Sequence, residues 1–215
     1  MASDRWIEHM SGLALGIHTS HGGPVEINET GPSVTITDDA TPRTSVIAVS
    51  ETSTVNSLDL TLSLYHKFVG DLSITLTSPS ATVATIAYRI GRAGFPNFGD
   101  ASDFGTFDYS ALCKALGGAF CAAPTPLDYK FDDAGVDIWA AAVAVGPEVA
   151  IPADTYYASR EWQSGDPSGT GVQVLLNTVF ADEAVNGNWT LTITDHDSDD
   201  AGELTGWALH ISAGS

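Results

Sequence analysis

Basic residues are scarce. Eight Lys and Arg stand against 27 Asp and Glu in 215 residues, a net charge of -19. Affinity for a nucleic-acid backbone depends on basic side chains that release counterions, so no nucleic-acid partner is expected, and an anionic membrane is disfavoured too. Long apolar runs are also missing. None approaches the roughly 18–20 residues needed to cross a bilayer, so no membrane insertion is expected. The opening MASDRWIEHMSG has neither a basic start nor an apolar stretch of about 7–15 residues, so no signal peptide shows. It reads as vector sequence or as the edge of a piece cut from a longer exported protein.

Catalytic signatures are equally sparse. The chain holds no G-T-S-M-A segment, no G-x-S-x-G elbow, and no D-T-G paired with H-G-T. A serine hydrolase needs its nucleophile held against a base that an acid orients, and no spacing here supplies that set. His21-Gly22 stands without such partners. Zinc spacings such as H-E-x-x-H or C-x2-C are missing. The Gly-rich run 164–171 lacks the Lys of a phosphate loop. Cys113 and Cys121 are the only cysteines, eight residues apart in a Gly/Ala-rich loop. They read as a disulfide contributing about 2–3 kcal/mol in an exported chain, or as two buried thiols.

What is present is strand pattern. Apolar residues make up 43% of the chain, enough for a folded core at this length. Leu58, Leu60, Leu62 and Leu64 recur at period two, as do Leu72, Ile74 and Leu76, then Trp189, Leu191 and Ile193, then Trp207, Leu209 and Ile211. Successive strand side chains point to opposite faces, so each run offers one apolar and one polar face. Short strands separated by Gly, Pro, Asn and Asp, with almost no helical period, predict an all-β antiparallel sandwich. Residues 1–32 carry no clear period and read as an N-terminal arm or leader. Residues 33–215 read as one domain, interrupted by insertions at 94–130 and 136–171. The run 140–145, AAAVAV, is ambiguous between strand and helix.

Two stretches carry a family resemblance. In 187–212, Gly187, Trp189, Leu191, Asp195, Asp200, Gly202, Leu204 and Trp207 fit G-x-WTL followed by D-x4-D-x-G-x-L-x2-W. In 66–91, His66, Asp71, Leu72, Ile74, Leu76, Ser78, Pro79, Thr82, Arg89 and Gly91 fit H-x4-DL-x-I-x-L-x-SP-x-G-T and the Arg and Gly after it, with Ala81 where Gly is usual. Phe131-Asp132-Asp133 resembles a further segment, and Asp38 takes the Asp place of an opening turn. Together they resemble the P domain (Homo B domain) of furin- and kexin-type proprotein convertases and of secreted bacterial subtilisin-like proteases. The resemblance implies a jelly roll of about eight strands, a secreted or cell-surface location, and a non-catalytic role beside a subtilisin-like catalytic domain in cis, or on another protein.

Calcium is the chemistry the residues support. Asp195, Asp197, Asp199 and Asp200 crowd four carboxylates into six residues. Such like charges repel, and a hard cation with oxygen ligands is the usual remedy. The loop is not an EF-hand, because Asp200 and Gly206 stand where that loop requires Gly and Glu. The expected site joins this loop to the Asp132/Asp133 turn, with Asp38 and Asp71 as further donors; the plainer reading is that these Asp side chains cap turns. A second function class is a free-standing binding or adhesion module, whose insertions would present Trp139, Tyr156, Tyr157 and Trp162 as a contact patch, unless those aromatics are core.

Overall fold

A computed structural model describes residues 24–92, 99–115, 117, 121–167 and 170–214; the His21-Gly22 pair and most of the N-terminal arm lie outside them. In chain order its strands are β1 (Val25–Gly31), β2 (Val34–Ile36), β3 (Arg43–Val49), β4 (Thr54–Tyr65), β5 (Leu72–Thr77) and β6 (Val83–Tyr88). After α1 (Ala111–Ala115) come β7 (Leu127–Val136), α2 (Ile138–Val145), β8 (Thr155–Tyr156), β9 (Ala158–Arg160) and β10 (Val172–Val174). Finally α3 (Leu176–Val179) leads to β11 (Gly187–Asp195) and β12 (Gly202–Gly214).

Two sheets enclose the core. One runs β1-β12-β4-β7-β8, with β2 also on β12; the other runs β3-β11-β5-β6. The pairings within them are antiparallel except β7 with β8. The expected all-β sandwich is therefore what forms. Among the described residues it has twelve strands, because segments read as arm and insertion add pairs of their own.

The period-two runs fix which residues enter the core. Leu58, Leu60, Leu62 and Leu64 are all buried, and Leu60 lies across from Leu209 on one side and Phe131 on the other. In the facing sheet Leu191 pairs with Leu76 and Ile193 with Ile74. Burying one such side chain contributes roughly 1.5–3 kcal/mol, so the interlocked rows dominate the stability. Thr190, Thr192 and Thr194 alternate outward on β11.

Three local outcomes differ from, or decide, the sequence reading. Val25–Gly31 is not a free arm: it pairs with β12 over seven residues, burying Ile27 and closing that strand's open edge. The ambiguous 140–145 run closes α2. Asp137 caps the helix by accepting from Trp139 N at 2.9 Å, alanines favour the helix, and Gly146 ends it at φ 79°. Ala81 adopts φ 66° in the turn after Pro79, a left-handed conformation that its Cβ disfavours.

The acidic stretch 196–201 is not a hairpin turn. It carries the chain from β11 in one sheet to β12 in the other, arching over one end of the core.

Candidate functional site

Four segments meet under that arch. His66 directly follows β4, Asp71 closes a 3-10 turn (Val69–Asp71) leading into β5, Arg89 and Arg92 follow β6, and Asp38 sits in the turn between β2 and β3. The backbone ties them together: His196 N donates to Asp71 O at 2.9 Å, and Asp199 N donates to Asp38 Oδ2 at 2.8 Å.

Most of these carboxylates face basic side chains of the chain itself. Asp195 is fully buried against His66, with Nε2 to Oδ2 3.1 Å, and its other oxygen accepts from Asp197 N. Asp197 takes Arg89 Nη2 at 2.6 Å and also Arg92. Asp71 takes Arg92 Nη2 at 2.9 Å. Asp200 faces Lys67 Nζ at 3.8 Å. Burial pushes the Asp71 carboxyl up to about 7, against the pull of Arg92 and with further upward pressure from Asp197 and Asp195. Burial also holds His196 below its ordinary value, and Arg89 adds to that. An opening of about 330 Å³ beside this network is lined by Phe68, Asp71, Arg92, Asp197, Ser198, Asp199 and Asp200.

Six of the eight expected metal donors thus collect at one end of the sandwich. Asp132 and Asp133 do not join them. Both lie beyond Phe131, which faces Leu60, while the arch adjoins His66; six residues of strand separate these levels, about 20 Å. Asp133 instead caps α3, accepting from Leu176 N at 2.6 Å and Asn177 N at 3.1 Å, and Asp132 accepts from Ala134 N and pairs with Lys130. At the arch the fit to calcium is partial. Carboxylates are plentiful, yet among the described residues no three His, Cys, Asp or Glu side chains surround one point, because Arg92 stands between Asp71 and Asp197.

The elements of a catalytic triad are present but separate. Ser73 Oγ lies 2.8 Å from His196 Nε2, and no carboxylate among the described residues accepts from that ring. His66 has its aspartate, but it is fully buried and its Nδ1 has no partner.

The aromatic patch is largely a correction. Trp139 and Tyr156 are each 1% exposed, and both belong to the core. Trp139 follows the cap of α2, whose inner face it fills, and Tyr156 packs 6.5 Å from Tyr129. Tyr157 is half-buried and donates to Gly171 O. Trp162 borders an open cavity. Cys113 and Cys121 are joined by a disulfide with Cα atoms 4.7 Å apart. Sequence reasoning missed the arginines as counter-ions; the signal was that Arg89 and Arg92 are two of only eight basic residues, one turn after a strand.

Residues 156–211 match the family model of the proprotein convertase P-domain, in agreement with the resemblance read from 187–212. No curated protein matches the chain. Among solved structures it is similar to the serine protease of Aeromonas sobria in complex with a chaperone, at 14% identity and TM-score 0.41, over 90% of this chain and 28% of that one. The serine protease of Aeromonas sobria alone gives 14% identity and TM-score 0.39, over 88% of this chain and 27% of the other. The chain thus spans little more than a quarter of those proteins.

Proposed function

We propose that this chain is a P-domain module, accessory to a secreted subtilisin-like serine endopeptidase and itself without catalytic activity. The observation that carries the reading is the match over 156–211, which ends on the two strands that bracket the acidic arch. Separation of Ser73–His196 from His66–Asp195 supports the non-catalytic part, because nucleophilic attack needs base and orienting acid on one imidazole. The module stabilises its catalytic partner by packing against it. Calcium, in this reading, acts at the arch, where Asp38, Asp199 and Asp200 lie outside the Arg89–Arg92 network; Asp132 and Asp133 take no part.

The test compares a subtilisin-like serine protease joined to this chain with the same protease without it. Removing residues 24–214 should shorten the half-life of proteolytic activity on heating, while the isolated chain should cleave no casein. Cleavage by the isolated chain that is lost on Ser73→Ala, or a heat half-life unchanged by the deletion, overturns the reading. A second reading, a free-standing binding module, is favoured by the cavity that Trp162 borders.

A further inference from the structure

A separate opening of about 360 Å³ lies beside the arginine pair and is lined by Tyr88, Arg89, Arg92, Glu161 and Trp162. The volume falls at the low end of the roughly 300–1,000 Å³ common for small-molecule sites. It lies where β9 packs beside β6, so the loop after β9 brings Glu161 and Trp162 to the end of the strand that carries Tyr88.

The walls are held in place before any ligand arrives. Arg160 makes a two-pronged contact with Asp166 (2.9 and 3.1 Å), and Asp166 also accepts from Gln163 N at 2.8 Å. Trp162 Nε1 donates to Asp166 O and Pro167 O at 3.2 Å each. With its N–H used inside the loop, the indole has only carbon surface left to offer. Opposite it, Arg89 is fixed by Gly70 O and Asp197, and Arg92 by Asp71 and Asp197.

Those bonds leave specific groups over. Arg89 Nη1, Arg92 Nε, the Tyr88 hydroxyl and the Glu161 carboxylate have no hydrogen-bond partner among the described residues. The cavity therefore combines aromatic surface, directional donors and an acceptor. Asp197, joined by Asp71 once that carboxyl ionises, balances the arginine charge, and the chain as a whole is at -19. A carboxylate or phosphate ligand would meet spent cations inside a repelling field. An uncharged polyhydroxyl ring has complementary features throughout: C–H faces for the rings, hydroxyls that accept from guanidinium N–H, and hydroxyls that donate to Glu161.

We propose that this cavity is a binding site for a neutral saccharide unit, independent of the accessory role proposed above. The decisive measurement is calorimetric titration of the chain with cellotetraose and with maltotetraose, tetragalacturonate serving as the charged arm. At least one neutral tetrasaccharide should bind with Kd of about 1 mM or tighter. Glu161→Ala and Trp162→Ala should each weaken it by about tenfold, and Trp162→Phe should restore most of the loss. Glu161 is exposed and unpartnered, so its variant reports on binding even where Trp162→Ala disturbs the loop. The proposal is overturned if neither neutral probe binds at about 10 mM, if binding persists unchanged in Glu161→Ala, or if tetragalacturonate binds the tighter.

Discussion

His66 Nε2 and Asp195 Oδ2 meet at 3.1 Å with both side chains fully buried; His66 directly follows β4 of one sheet and Asp195 ends β11 of the other. The pair is a polar staple across the sandwich. Removing one partner of a buried pair leaves the other uncompensated, at a cost of about 3–5 kcal/mol. Asp195→Ala and His66→Ala should therefore each lower the denaturant midpoint sharply. The double variant should lose much less than the two added together, which a double-mutant cycle will measure.

Asp71 makes stability fall as pH rises. Its folded pKa is pushed up to about 7 from an unfolded value near 3.8, so between those values the folded chain holds a proton that the unfolded chain has released. Protons bound in excess by the native state stabilise it at low pH, and that contribution disappears as pH climbs from about 4 to about 7. Asp71→Asn, which cannot ionise, should raise the melting temperature at pH 8 relative to the parent and change it least at pH 5. Thermal melts across that range check the sign.

Ala81 carries strain that glycine would relieve. At φ 66° its Cβ works against the turn set by Ser78 and Pro79, a penalty of roughly 1 kcal/mol. Ala81→Gly gives back part of this as unfolded-state entropy, so a net gain of about 0.5 kcal/mol is expected. A melting temperature lowered by the substitution would contradict it.

The acids at the two levels of the sandwich should respond differently to calcium. With calcium at about 100 times its Kd, native-state binding would add about 2.7 kcal/mol. Asp199→Asn with Asp200→Asn should abolish the calcium-dependent rise in melting temperature. Asp133→Ala should cost about 1 kcal/mol through the lost cap of α3 while leaving the calcium response intact. A melt indifferent to chelation removes calcium from the proposed function.

Much of the fold was legible from local pattern. The leucines of β4 and the Trp-x-Leu-x-Ile runs of β11 and β12 became core in the expected phase, because pleating alone sends alternate side chains to opposite faces. The crowding of Asp195, Asp197, Asp199 and Asp200 was equally plain, and so was the closeness of Cys113 to Cys121.

Partnership across the chain was decided by the tertiary structure. Nothing local sends β11 and β12 into opposite sheets, buries Trp139 and Tyr156, or holds the F-D-D segment away from the arch. Nor does any spacing assign Arg92 to both Asp71 and Asp197. Alternation is a property of a few neighbouring dihedrals and survives in any context. Which charge neutralises which depends on where distant segments come to rest, and only the packed sandwich fixes that.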